Sequence, residues 1–327
     1  NDTPTNVTLM TADGVMTDKP LYEAVNDKKL SVLISGDSAL VKELLFTVLI
    51  CGQLPDITMK IHIITENAAA FRESLKLHYP EVLDTDYHIK ISEGTPDNRD
   101  YLTVIRSDCM DAGYVMLCYQ DDSRNVQAAV MLRRFFLTED KKFTHKPVIA
   151  AKIQNIKKAN VICKSKFEIV PFGSDKIYSY QEIVEPELEA LAKRVHFAYC
   201  GIAENPDEET CFQALQTYYE LEYNRKSSLA MALSIRYKLW QMGFSMQQAD
   251  TPDVTALQNY LDANDLKKYA EAEHLRWLAY LRTEGSRKMS VEDAEMIAKT
   301  SPELMRKLGT SVYLGMHMDM IPLYDIH

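Results

Sequence analysis

The chain changes its hydrophobic rhythm twice. Residues 1–28 are polar, carry Gly14 and Pro20 and one short strand-like piece, VTLM, and read as a leader or linker. From Lys29 onward, short apolar runs alternate with longer stretches of helical period. LSVLIS (30–35), MKIHIIT (59–65), YHIKIS (87–92), YVMLCY (114–119), PVIAAKI (147–153) and FEIVPF (167–172) are the predicted strands. ALVKELLFTVLIC (39–51), AAAFRESLKLHY (68–79) and SRNVQAAVMLRRFFL (123–137) are predicted helices between them. Strands alternating with helices at this spacing predict an α/β unit, a doubly wound and mostly parallel sheet covered on both faces.

Beyond Ser174 the strand signals stop. Five segments with helical periodicity follow, at 186–200, 208–222, 225–243, 265–285 and 291–300. Gly243 and Gly285 each stand just past an apolar-periodic stretch, where a helix is expected to end. The second half therefore predicts an all-α module. The stretch GIAENPDEE puts the boundary near 200–207, giving a leader over 1–28, an α/β domain over 29–203 and a helical domain over 204–327.

Composition narrows the class. Apolar residues make up 46% and charged residues 26% of the 327 residues, a globular balance. The net charge of −10 argues against a dedicated nucleic-acid binder, because phosphate backbones require basic surfaces. A small anionic ligand needs only a few well-placed cations and stays open. Six cysteines without a C-x-x-C pair or a histidine at ligand spacing predict neither disulfides nor a metal site. No apolar run reaches the length of a membrane span, so no insertion is expected within this sequence. The expected setting is the cytoplasm, or the cytosolic part of a membrane protein, since the sequence opens at Asn1 rather than at a methionine.

In a doubly wound fold the first strand-to-helix turn carries the phosphate-binding glycines. Here it reads LISGDSALVKELL: Gly36 fits the first position, while Ser38 and Val41 stand where the second and third glycines belong. Glu66, just past the second strand, is the candidate ribose acid. A Rossmann-like domain that has lost dinucleotide binding and serves as a scaffold is the favoured reading, and no cofactor is expected. NAD is the alternative. The segments KLSVLISGDSALVKELL, CGQLPDITMKIHIITENAAAFRESLKLHYPEV and YVMLCYQDDSRNVQAAVMLRRFF resemble, in order and pattern, the TrkA-N (RCK-like) Rossmann domain of potassium-transport regulators. That resemblance implies an acidic residue and an asparagine after the fourth strand, matched by Asp122 and Asn125. Helix capping by Asp122 or Ser123 is the competing role. Between Arg133 and Lys166 basic residues outnumber acids, which a solvated helix face and strand edges explain.

The helical half contains EHLRWLAYLRTEG. Glu273 and Arg276, three apart, can pair on one helix face, with His274, Trp277, Leu278 and Leu281 on the neighbouring one. An ion pair beside an aromatic anchor explains this segment by itself. Two companions raise a functional reading: YNRKSS (223–228), with Asn224, Arg225 and Ser228, and GMHMDMIPLYDI (315–326), with His317 and Asp319. Together, across roughly 205–327, the three segments resemble the RyR domain, the repeat named after ryanodine receptors and also found in bacterial proteins. The insert at 286–314 is longer and more polar than that resemblance leads one to expect. The resemblance implies a regulatory module for a small ligand, with adenine nucleotides the plausible class. Arg225, Arg276 and Arg282 offer donors for phosphate, Trp277 and Tyr280 offer flat faces for a base, and Glu273 offers an acceptor.

No nucleophile-base pair or carboxylate pair stands out, so no enzymatic activity is expected. The expectation is a bacterial, ligand-sensing regulatory protein, part of a membrane-linked or defence system, binding a nucleotide-like signal and assembling as a homo-oligomer. The alternatives are an NAD-linked enzyme or NAD(H)-binding transport regulator acting through Gly36 and Glu66, and a purely structural dimerisation module.

Overall fold

In a computed structural model, the structure describes residues 9–10, 16–17, 24–83, 87–139, 146–173, 187–202, 207–220, 222–244, 254–288, 290–300 and 316–317. The α/β half is built on six parallel strands: β1 (Lys29–Ser35), β2 (Thr58–Thr65), β3 (Ile89–Glu93), β4 (Tyr114–Leu117), β5 (Val148–Lys152) and β6 (Ile169–Phe172). Their spatial order is β3-β2-β1-β4-β5-β6. This is the doubly wound order of a Rossmann-like sheet, with the switch point between β1 and β4. Six of the seven β1 residues are buried, because a parallel strand covered on both faces has no solvent side. Ahead of β1, Val25–Asn26 folds back antiparallel onto Lys29 and Leu30. Asp27 and Lys28 turn that hairpin with positive φ (46° and 61°), as a two-residue turn twisted to match its strands requires. The predicted leader thus ends in the sheet, and Leu9–Met10 pairs antiparallel with Met16–Thr17 in a separate two-stranded sheet.

Helices α1 (Leu40–Cys51), α2 (Ala68–His78) and the short α3 (Pro80–Leu83) cover one face of the sheet. Helices α4 (Arg99–Asp108), α5 (Asp122–Glu139) and α6 (Ile156–Cys163) cover the other. Two of these were not read in the sequence. In α4 only Tyr101 and Ile105, one turn apart, are buried within a charged stretch, and in α6 only Ala159 and Ile162 are. Their starts are marked by Asn98 and Asn155, whose side chains accept from backbone N–H groups one turn in. The cap of α5 is a correction: Asp121, not Asp122 or Ser123, accepts from Ser123 N at 2.7 Å.

The helical half comprises α7 (Glu187–Tyr199), α8 (Glu208–Glu220), α9 (Glu222–Gln241), α10 (Thr255–Ala263), α11 (Lys267–Thr283) and α12 (Val291–Thr300). The two glycine stops are present, with φ of 83° at Gly243 and 82° at Gly285. Each is followed by an N–H reaching back five residues, Phe244 N to Leu239 O at 2.8 Å and Ser286 N to Leu281 O at 3.0 Å. Ala192 of α7 packs with Tyr218 of α8 and Ala232 of α9, so α7 sits with the helices that follow, ahead of residue 203.

Helix α1 joins the halves. Nine of its twelve residues are buried, around most of its circumference, because it faces the sheet on one side and α9 and α11 on the other. Tyr237 of α9 and Ala279 of α11 enter the same apolar cluster as the strand residues Val32 and Ile34. No helix among the described residues is long and apolar enough to cross a membrane.

One buried group makes the sheet sensitive to acid. His62 of β2 is 2% exposed, with Nε2 2.8 Å from Ser92 Oγ and Nδ1 without a partner. Burial, with Lys90 and Lys60 adding to it against the pull of Asp108, pushes its pKa down to about 4. The neutral form is favoured in the fold, so its stabilisation is present above the ordinary histidine value and is lost as pH falls through the folded value. Urea denaturation between pH 7 and pH 4 is expected to lose about 3 kcal/mol from this group, a loss that His62→Gln removes. An unchanged pH slope in His62→Gln overturns the assignment.

Candidate functional site

Two places combine chemistry with access: the crevice at the carboxyl ends of β1 and β4, and a cleft between the two halves.

At the crevice, β1 delivers Gly36, Asp37 and Ser38 into the first turn. A side chain at Gly36 would meet Sγ, O and C of Cys118 at 2.6–2.8 Å, so the glycine serves the close approach of two strand ends. Ser38 Oγ donates to Cys118 O at 2.5 Å, and Ala39, at the N-cap position of α1, gives the helix no side-chain cap. Asp37 accepts from Gln120 N at 2.9 Å, which places a carboxylate beside the turn that a pyrophosphate would use. Arg124 of α5 reaches across the mouth to Asp37 (3.4 Å), Glu66 (3.1 Å) and Asp97 (3.1 Å), and its guanidinium lies 4.7 Å from the Tyr119 ring centre. Beneath it, Ser35 Oγ accepts from Tyr101 at 2.9 Å and lies 2.7 Å from Tyr119 OH. Burial pushes the Tyr119 phenol up to about 12 and Tyr101 well above its usual range, so both stay neutral at physiological pH.

This donor set does not suit a dinucleotide. One guanidinium stands among three carboxylates, and its charge is already shared between them. A pyrophosphate here would meet uncompensated like charge. Asp122 and Asn125 do other work in the same region. Asp122 takes the backbone N–H groups of Gln154 and Asn155, both at 2.9 Å, and so holds the β5–α6 turn. Asn125, fully buried, accepts from Tyr119 N and donates to Tyr119 O and Lys152 O, pinning the ends of β4 and β5 together. Sequence reading missed Asp37, Arg124, Asp97, Tyr101 and Tyr119. Only Asp37, an acid directly after the turn glycine, left a legible signal.

The second place is a cleft of about 630 Å³ walled by α1 and Tyr79 on one side and by α7, α9 and α11 on the other. Lys42, Glu43, Phe46 and Tyr79 line the α/β wall, and Glu189, Glu222, Arg225, Lys226, Tyr280 and Glu284 line the helical wall. Phe46 and Tyr79 meet edge to face at 4.8 Å, with Lys42 Nζ 5.3 Å from the Tyr79 ring. On the far side Tyr280 is tilted against Trp277 at 5.6 Å and donates to Tyr223 O at 3.3 Å. Burial raises the Tyr280 phenol above its usual range, with Glu284 adding to it.

The cations here are paired. Lys42 lies 3.3 Å from Glu43, and Lys226 lies 3.5 Å from Glu222 and 3.2 Å from Glu284. Arg225 holds Glu189 through Nε and Nη2, each at 3.0 Å. That hydrogen bond outweighs burial and raises the Arg225 pKa. For Lys42 and Lys226 burial works the other way, but their hydrogen-bonded partners outweigh it and the pKa values rise. All three stay charged at neutral pH.

The residues singled out in the helical half do not form one pocket. Arg225 and Tyr280 line the cleft, with Trp277 behind Tyr280. Ser228 is buried in α9, and Asn224 donates to Thr217 O at 3.0 Å. Glu273, half-buried, pairs with the buried Arg276 on the α1 side, where the guanidinium charge bears on the Cys51 thiol. Lys238 Nζ also donates to Glu273. Arg282 donates to Tyr87 OH at 2.5 Å and stacks on its ring at 5.4 Å. His274 is half-buried, with Nε2 unpartnered. Met316–His317 pairs in parallel with Arg287–Lys288, and Asp319 lies outside the described residues. Lys42, Phe46, Tyr79 and Glu189 were not legible as site residues, because they enter the cleft from elements distant in sequence. Among the described residues no cluster suits a metal ion. No protein family, curated protein or solved structure matches the chain.

Proposed function

We propose that this chain is a non-enzymatic regulatory protein that binds a nucleotide-like small molecule in the cleft between its two halves. The carrying observation is the mixture on the cleft walls. Aromatic side chains come from both sides, Tyr79 half-buried and Phe46 and Tyr280 packed behind the surface, and three cations stand paired with four carboxylates, pairs that a phosphate and an exocyclic amine or ribose hydroxyl would share between them. A volume of about 630 Å³ suits a nucleoside phosphate. A simple anion would leave the aromatics and carboxylates unused, and a simple hydrophobe would strand the ions. The same residues extend the resemblance of the helical half to the RyR repeat, with YNRKSS supplying Arg225 and the EHLRW helix supplying Tyr280. Position supports a sensing role, since a ligand here touches α1 and α11 together and biases how the halves close.

The test is calorimetry with ATP, cyclic AMP, ADP-ribose and NAD. At least one is expected to bind, and Arg225→Ala and Tyr280→Ala are each expected to weaken it about tenfold or more, roughly 1.4 kcal/mol. No binding by any of the four, or binding indifferent to both substitutions, removes the proposal. The NAD reading is favoured by the strand order alone. It predicts instead NAD binding that changes with Arg124→Ala and Glu66→Ala.

A further inference from the structure

Arg225 lines the cleft with two of its three nitrogens already engaged. Nε and Nη2 face the two oxygens of Glu189, both at 3.0 Å, the side-on fork that a guanidinium also offers to a phosphate. Glu189 is the better buried partner, its side chain 13% exposed against 44% for Arg225. Glu189 Oε1 also accepts from Tyr218 OH at 3.0 Å. One carboxylate therefore ties the first turn of α7 to the first turn of α9 and, through Tyr218, to α8. Beneath this polar tie, α7 is held by apolar packing of Leu188, Leu191 and Val195 against Tyr218 and Leu229.

We infer that Glu189 is a built-in competitor for the ligand: the anionic group of a bound nucleotide takes Arg225 from Glu189 and thereby loosens the start of α7. The inference rests on the reading of the cleft as a nucleotide site and adds its regulation. The competition follows from geometry, since a carboxylate and a phosphate use the same fork and Arg225 cannot serve both in that mode. Its consequence falls on α7 because Glu189 exchanges three hydrogen bonds for one. Tyr218 stays a neutral donor, since burial, reinforced by Glu189, raises its pKa. The apolar contacts keep the rest of α7 docked, so the change is confined to its first turn. As the first described helix after β6, α7 is where such a change meets the chain leaving the sheet.

The experiment compares wild type with Glu189→Gln, using ATP and inorganic pyrophosphate in calorimetry and hydrogen exchange over residues 187–199. ATP is expected to bind Glu189→Gln about tenfold more tightly than wild type, and pyrophosphate to gain by a similar factor. ATP should speed exchange in the first turn of wild-type α7, whereas Glu189→Gln should exchange fast there without ligand and change little with it. Glu189→Ala, which puts no amide beside the guanidinium, is the second variant and should tighten binding in the same sense. Tyr280-dependent ATP binding that Glu189→Gln and Glu189→Ala leave unchanged or weaken makes Glu189 a positioning residue and overturns the inference, while the cleft reading stands. If neither ATP nor pyrophosphate binds wild type or either variant, the inference falls, and the cleft reading falls with it when cyclic AMP, ADP-ribose and NAD also fail to bind.

Discussion

Replacing Asn125 with alanine is expected to lower the stability of the fold by about 4 kcal/mol, measured by urea denaturation. Its side chain makes three hydrogen bonds to backbone, 2.8 Å from Tyr119 N and 2.9 Å to each of Tyr119 O and Lys152 O. Alanine leaves an N–H and two carbonyls at the ends of β4 and β5 without those partners, and each orphaned buried group costs about 1–3 kcal/mol. Asn125→Asp should be worse, because a carboxylate cannot donate to either carbonyl. Ligand binding by the protein that still folds should be unchanged, since Asn125 does not line the interdomain cleft. A loss below about 1 kcal/mol refutes the pinning role by showing that water reaches these groups. The same substitution bears on the dinucleotide reading, in which loss of Asn125 abolishes NAD binding at little cost to the fold.

The second large effect belongs to the pair that half-buried Glu273 makes with buried Arg276 on α11. Arg276 is 3% exposed, and its Nε and Nη2 both donate to Glu273, with distances of 2.8–3.0 Å. Lys238 donates to the same carboxylate. Glu273→Ala leaves two neighbouring cations in a poorly solvated junction and is expected to cost about 3 kcal/mol. Replacing all three members, Glu273→Leu with Arg276→Met and Lys238→Met, should recover most of the loss, because the cost lies in the stranded charges rather than in the missing attraction. Burial alone would raise the Glu273 carboxyl, but the Arg276 hydrogen bond and charge, joined by Lys238, outweigh it and hold the pKa below the usual value. Its stabilisation is therefore present above the ordinary glutamate range and lost as pH falls through the lowered value. A denaturation midpoint in Glu273→Ala equal to that of wild type removes this account. Arg276 is thus committed to the fold, and within its helix Tyr280 and Thr283 are the described residues that line the cleft.

Local regularities were legible wherever a few neighbouring residues decide the outcome. The central strands β1 and β4 read as largely apolar runs because parallel strands buried on both faces tolerate few polar side chains, whereas the edge strand β3, with only Ile91 buried, reads as an alternation. Gly243 and Gly285 marked helix ends because the left-handed backbone there disfavours a side chain. Helices α4 and α6 were not legible, since each buries only two residues, too few to impose a period on a charged stretch. The cap of α5 was displaced by one place because Asp121, Asp122 and Ser123 are chemically equivalent candidates in sequence. Only the β5–α6 turn, which claims Asp122, tells them apart.

The candidate sites divide the same way. Sequence alone determined that the glycine turn is degenerate, that Arg225 opens a helix and that Glu273 and Arg276 share a face. It did not determine what these side chains meet. Arg124 finds Glu66 58 residues away and Asp37 87 away, and Arg225 finds Glu189 36 away. Neither α-helical period nor strand alternation carries information across such separations. Helical spacing predicts a face but not its neighbour, and it was the packing of α1 between the sheet and α9 and α11 that buried the guanidinium of one face and made the adjoining one the wall of a cleft. Sequence determined the elements through local backbone and burial preferences; the tertiary structure decided the sites, because charge pairing and cavity shape depend on which distant surfaces come into contact.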